Sequence, residues 1–175
     1  ARIIADFLEM EFHFHASLIV GQEQYGNAIL SRLPLRVVRT GALPGPAHFE
    51  PRGAVWAELL WNNEPLNLIT THLGLRARER ARQLDLLLSS QWLGHDGCQR
   101  ATILCGDMNA APFSRVYSRL ARLLVDCQAS HDEASPAATF LRLVRLDYIF
   151  ATADLRVLNS FVPRTYLTWL ASDHL

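Results

Sequence analysis

Asp107 and Asn109, in the run Gly106-Asp107-Met108-Asn109, follow an apolar stretch directly and stand two residues apart. In extended backbone that spacing turns both side chains to one side. A carboxylate beside a carboxamide suits phosphate chemistry: the acid can orient a water or touch a hard divalent cation, and the amide can donate to a phosphoryl oxygen. A Gly-Asp turn capped by the Asn accounts for the same spacing equally well. His72 closes the run Thr70-Thr71-His72-Leu73-Gly74. A lone histidine is most often structural, but an imidazole carried beside Asp107 can donate to a phosphate oxygen. Near the C-terminus stand Ser172-Asp173-His174. Adjacent side chains diverge, so Asp173 and His174 serve two subsites, the acid towards a metal and the imidazole towards the reacting water or phosphate. A histidine used that way needs a carboxylate to fix its tautomer. Asp147, inside the apolar run Leu146-Asp147-Tyr148-Ile149-Phe150, fits that need. A charge embedded in such a strand is costly unless paired, and a nearby arginine is the alternative partner.

These residues must be positioned by elements that the patterning predicts. Ile3, Ile4, Phe7 and Leu8 fall at helical spacing within residues 1–10. Strands are predicted over 12–20, 25–32 and 35–40, followed by a loop over 41–51 that holds two Gly and three Pro. Residues 53–61 and 66–72 read as a hairpin turning at 62–65. A helix is predicted over 76–93, with Ala77, Ala81, Leu84, Leu88 and Trp92 on its apolar stripe and Gly94 ending it. A short buried strand follows at 101–105, and Ser114 caps a helix predicted to run through Val125. Residues 126–138 read as loop, 145–151 and 155–162 as paired strands, and 163–175 as irregular. The strand–helix–strand unit 66–105 is long enough for a parallel crossover. Its two strands then end on one edge, carrying His72 and Asp107 together, and ligands of such sheets bind at that edge.

Composition narrows the function classes. The formal net charge is zero and half of the 175 residues are apolar, ample for a core and unlike a disordered chain. Nine arginines and nine acids in residues 1–87 face eight of each in 88–175, so neither a basic nucleic-acid track nor a polybasic membrane segment is present. All seventeen basic residues are Arg, which excludes a lysine nucleophile, a Schiff base and a Walker-type phosphate loop. No run reaches the ~20 apolar residues of a membrane span. Cys98, Cys105 and Cys127 form no zinc or disulfide pattern, which favours a reducing, cytoplasmic setting. A secreted or membrane-associated parent stays open because the chain starts at Ala1. His13 and His15 share a strand face without a third ligand, and the arginines of 76–82 read as a solvated helix face.

The blocks Tyr25-Gly26-Asn27-Ala28-Ile29-Leu30-Ser31-Arg32, Thr71-His72-Leu73, Gly106-Asp107-Met108-Asn109, Leu146-Asp147-Tyr148-Ile149-Phe150 and Ser172-Asp173-His174, in that order, resemble the endonuclease/exonuclease/phosphatase (deoxyribonuclease I-like) superfamily. The likeness covers nearly the whole chain. It implies a four-layer α/β sandwich of two mixed β-sheets with outer helices. It implies Mg²⁺- or Mn²⁺-dependent hydrolysis of a phosphate ester, in which Asp107 orients or deprotonates the attacking water and Asn109 holds water and phosphoryl oxygen. His174, oriented by Asp147, then contacts the scissile phosphate; His72 faces it, Asp173 lies on the metal side, and Asn27 is a family-like substrate position. The family's Asn- and Glu-bearing first strand–helix–strand finds no counterpart before Ala1, and its last strand none after Leu175. The resemblance thus implies a domain over 1–175 that is incomplete at both ends and lacks a metal-binding Glu. The expected partner is a phosphate-ester substrate (nucleic acid, phospholipid head group or small ester), and no obligate protein partner is indicated. The alternative is a non-catalytic remnant or scaffold of the same fold.

Overall fold

The computed structural model describes residues 1–99, 101–130 and 137–175. Its strands are β1 (Glu11–Val20), β2 (Glu23–Ser31), β3 (Leu35–Ala42), β4 (Gly53–Trp61), β5 (Glu64–His72), β6 (Thr102–Asp107), β7 (Val125–Asp126) and β8 (Asp147–Ala151). Its helices are α1 (Arg2–Leu8), α2 (Ala77–Leu87), α3 (Arg115–Leu120) and α4 (Tyr166–Ala171). The strands form an antiparallel pair β1-β2 and a six-stranded sheet of order β3-β4-β5-β6-β8-β7. The larger sheet is mixed: β5 and β6 run parallel across α2, and the other neighbours are antiparallel. The β4–β5 hairpin turns through Asn62 and Asn63, both at positive φ (52° and 65°), as a two-residue turn between twisted strands requires.

The register shows how the sheet is buried on both faces. Trp56, Ile69, Leu104 and Phe150 stand side by side across β4, β5, β6 and β8. They pack against Leu84 and Leu87 of α2 and Val116 and Leu120 of α3 in one apolar core. On the opposite face Val55 and Ala57 of β4 meet Ile29 of β2, which seats the small sheet on the large one. The architecture is therefore an α/β sandwich of two sheets, with α2 and α3 covering the outer face of the larger. Among the described residues no helix is long and apolar enough to cross a membrane.

Several sequence expectations need correction. The helix α1 forms, but Ile3, Ile4 and Phe7 face solvent and Ala5 is its one buried residue. Helix α2 ends at Leu87, and its inward side is Glu79, Gln83, Leu84 and Leu87; Ala77 and Ala81 are exposed. The reason is a polar task for that side. Gln83 Oε1 accepts from the Gly74 amide at 2.7 Å while its Nε2 donates to Glu79, which fastens the β5–α2 connection. A Cβ on Gly74 would lie 2.1 Å from the Glu79 carboxyl carbon, so a larger residue there would have to displace the Glu79 carboxylate. Helix α3 is capped by Ser114 as expected but stops at Leu120. Residues 155–162 are not a strand, because both edges of β8 are already taken by β6 and β7. The terminal stretch is not wholly irregular: Thr165 and Thr168 form a capping box that starts α4. Within the predicted loop 126–138, residues 131–136 lie outside the described residues. Trp56 packs in the core, whereas Trp61 at the hairpin end is exposed.

One ion pair ties β7 to the entry of β8. Arg145 donates two parallel bonds to Asp126, at 2.7 and 2.6 Å, and both side chains are 4% exposed. Tyr117 of α3 donates to the same carboxylate, and Arg145 stacks on the ring of Tyr148. Breaking such a pair leaves a buried charge without a partner, which costs about 3–5 kcal/mol. Asp126→Ala is expected to lower the unfolding free energy by about that amount, read from the midpoint and slope of urea denaturation.

Candidate active site

The register that builds the core also assembles the chemistry. His72 at the end of β5 pairs with Asp107 at the end of β6, and Asp107 pairs with Asp147 at the start of β8. Paired residues project to one face, so the three side chains form a cross-strand row at the sheet edge. They lie on the face opposite the helices, one residue along from the core-facing Tyr148. The parallel crossover therefore brings His72 and Asp107 together at the edge where the sequence places them.

The turn reading of the Asp107 motif holds, and it leaves one carboxylate oxygen open. Its Oδ1 accepts from the Asn109 amide at 2.7 Å, the mark of an Asx turn. Its Oδ2 faces outwards, 3.3 Å from His72 Nε2 and 3.9 Å from His174 Nε2. The chain leaves β6 through two positive-φ residues, Gly106 (139°) and Asn109 (46°). A Cβ on Gly106 would fall 1.9 Å from the Thr71 carbonyl oxygen. That close approach lets Asp107 sit tight against β5. Asn109 Nδ2 donates to the Leu73 carbonyl at 2.8 Å and lies 3.1 Å from His72 Nε2, pinning the end of β5 to the end of β6.

His174 arrives from the C-terminal segment. The Leu141 amide donates to the Asp173 carbonyl, the Leu175 amide to the Thr139 carbonyl, and Phe140 bridges His174. Thr139 also accepts, through Oγ1, from the amides of Leu146 and Asp147. One turn thus anchors both members of the Asp147–His174 pair, whose Oδ2 and Nδ1 are 2.8 Å apart. The alternative arginine partner for Asp147 is not taken, since Arg145 is engaged with Asp126. Asp173 is exposed beside His174, and Asn27 donates to the Gly53 carbonyl at 2.7 Å. Asn27, Tyr25, Glu50, Arg52 and His72 line an open groove next to the row.

Among the described residues, Asp107, Asp147 and His174 form the group whose ligand atoms lie within 4.8 Å of one another and fit a metal ion. Two carboxylates and an imidazole are a donor set suited to a hard or borderline divalent cation. His13 and His15 of β1 do not join it. Arg52 is the residue that sequence reasoning missed. It is 7% exposed, and its Nη1 contacts both Glu50 Oε1 at 2.9 Å and His72 Nδ1 at 3.1 Å. The one available signal was a charge placed directly before the apolar strand 53–61.

Electrostatics differ across the row. Burial works to raise the Asp107 pKa, but the His72 hydrogen bond, the Asn109 amide and the charges of the two histidines when protonated outweigh it, and it sits below the ordinary value. Burial works to lower the His174 pKa, but the hydrogen bond and charge of Asp147, with Asp107 and Asp173, carry it above the ordinary 6.5. The stabilisation from a raised histidine pKa is present in full below its unfolded value and lost as pH rises through the folded one. In chelator-treated protein, histidine ring NMR titration is expected to place His174 above 6.5. Asp147→Asn is expected to lower it, and a wild-type value at or below that of the variant would contradict the pairing.

A family model described as endonuclease/exonuclease/phosphatase family matches residues 4–174. The protein YbhP of Escherichia coli K12, itself uncharacterised, is 26% identical over 160 residues, covering 84% of this chain and 59% of its own length. The chain therefore spans 59% of the length of the curated relatives it matches. A conserved protein of unknown function from Enterococcus faecalis V583 superposes with a TM-score of 0.70 at 22% identity, over 86% of this chain and 68% of that one. The human nocturnin catalytic domain, solved with a bound sulfate anion, gives a TM-score of 0.64 at 20% identity, over 87% and 64%. At these identities the structures establish a shared fold.

Proposed function

This chain belongs to the endonuclease/exonuclease/phosphatase family, and from that membership we propose that its row of acids and histidines hydrolyses a phosphate ester with the help of Mg²⁺ or Mn²⁺. The observation that carries the reading is the juxtaposition of Asp107, Asp147 and His174, with His72 in the same row. Of that group the carboxylates of Asp107 and Asp147 would hold a divalent cation, with Asp173 nearby on the exposed side, and His174 would keep Nε2 for the substrate. Such a cation supplies charge stabilisation at phosphoryl oxygens and a more acidic bound water.

The chain's own groups account for the rest. Asp107 is held ionised below its ordinary pKa, with one oxygen fixed in the turn and one facing the site. An ionised, oriented carboxylate can accept a hydrogen bond from the attacking water and take its proton. His174 is held charged to higher pH than an isolated histidine, and Asp147 fixes its Nδ1–H. Its Nε2–H is then free to donate to a phosphoryl oxygen or to the leaving oxygen. Asn109 keeps the two strand ends together and, by position, borders the attacked phosphate. Asn27 in the neighbouring groove is a candidate contact for the rest of the substrate. Nucleic acids, phospholipid head groups and small phosphate esters all present the chemistry that this row would recognise.

With a generic aryl phosphodiester and Mg²⁺ or Mn²⁺, Asp107→Ala and His174→Ala are each expected to reduce turnover by about 10²–10⁴-fold, the scale of a lost acid–base group. Chelation is expected to abolish it. Turnover unchanged in both variants would remove the proposal, and calorimetric titration showing no Mg²⁺ or Mn²⁺ binding would favour the scaffold reading.

A further inference from the structure

The two histidines of the row are held by opposite kinds of partner. His174 Nδ1 faces a carboxylate. His72 Nδ1 faces Arg52 Nη1 at 3.1 Å. A guanidinium has donors only, so the atom that it contacts must bring a lone pair. The two N–H bonds of Nη1 are both directed, one to Glu50 Oε1 at 2.9 Å and one to His72. Arg52 is 7% exposed, which leaves that nitrogen little freedom to turn away.

We propose that Arg52 is a positioning residue that holds His72 in the tautomer with its proton on Nε2, aimed at Asp107. This deepens the phosphate-ester reading and rests on it for its catalytic consequence. The two tautomers of His72 can be compared. With the proton on Nε2, Arg52 has its acceptor and Asp107 Oδ2, 3.3 Å away, receives a donor. The cost is one contact between donors, to Asn109 Nδ2 at 3.1 Å, and that amide donates to the Leu73 carbonyl. With the proton on Nδ1, an N–H would confront a buried guanidinium and a bare Nε2 would confront a carboxylate. Two unfavourable charged contacts outweigh one between neutral donors in a half-buried site, where charge-assisted hydrogen bonds are roughly twice as strong as neutral ones. His72 is therefore a donor that keeps Asp107 Oδ2 oriented.

The test reads the tautomer directly. In long-range ¹H–¹⁵N spectra of the metal-free chain, His72 is expected to show a protonated, pyrrole-type Nε2 and a bare, pyridine-type Nδ1. A protonated Nδ1 in the wild-type protein would overturn the proposal whatever the activity. Arg52→Ala and Arg52→Gln are expected to give a mixture of tautomers, since neither side chain demands a lone pair. Arg52→Lys, which again offers donors only, is expected to restore the wild-type pattern. Turnover of the aryl diester is expected to fall about 10–100-fold in kcat for Arg52→Gln, with KM changed less than about twofold, the scale seen when a partner that orients an active group is lost. A wild-type tautomer pattern in Arg52→Gln and Arg52→Ala would also overturn it. Circular dichroism identifies a variant that fails to fold, and the wild-type spectrum decides the tautomer in any case. If no variant hydrolyses any ester while the spectra behave as expected, the proposed reaction fails and the tautomer assignment stands.

Discussion

The register between β5, β6 and β8 is the constraint on which the rest depends. One row, Ile69–Leu104–Phe150, faces the helices and closes the core; another, His72–Asp107–Asp147, faces the opposite way and forms the site. Side chains alternate along a strand, so a slip of a single residue would send the acids into the core and the apolar row to the surface. The apolar residues of β6 and β8 thus specify the position of the acids without touching them. Stability and chemistry are read from the same pairing, which is why neither Asp107 nor Asp147 needs a local signal to be placed.

Burying acids at a sheet edge requires partners, and the fold uses two kinds. Asp126 is closed by Arg145 and Tyr117 in a pair with no exposed oxygen to offer. Its pKa is lowered because the bonds to Arg145 and Tyr117 and the charge of Arg145 overcome burial. That arrangement holds β7 and the β8 entry and does nothing else. Asp107 and Asp147, 13% and 30% exposed, are closed by histidines whose donors can be given up to a ligand. A permanently charged partner makes a structural pair, whereas an imidazole leaves the carboxylate open to a ligand. The two acids beside the open groove have the second kind.

Much of this was legible in the sequence. Period-two patterns located β1 to β5, and the length of the β5–α2–β6 connection required a parallel crossover, which placed His72 beside Asp107. The apolar setting of Asp147 signalled a need for a partner, and the partner is His174. What escaped were features decided by tertiary context. Glu79 and Gln83 lie off the apolar stripe that the spacing predicts for the helix, yet the β5–α2 connection needs their hydrogen bonds. The 155–162 segment has strand composition, but pairing depends on a free sheet edge, which no local pattern reports. The outward apolar side of α1 and the exposed Ile149 of β8 follow from a second sheet only two strands wide, which covers β4 and leaves the far strand bare.

The absence of lysine takes on physical content at two of the seventeen arginines. Codon usage is a sufficient account for the exposed ones, such as Arg78 and Arg82. At position 145 the planar fork meets both oxygens of Asp126 at once and stacks on Tyr148, whereas an ammonium would meet one oxygen at a time. At position 52 a single guanidinium nitrogen divides its two protons between Glu50 and His72 while the rigid group stays planar and buried. Lysine can offer donors at the same place, but its ammonium rotates and loses its charge more readily when desolvated. An arginine cannot give up its proton, so it can only demand a lone pair from the ring beside it. A fixed cation behind one histidine and a carboxylate behind the other thus give the two imidazoles of the site opposite hydrogen-bond partners.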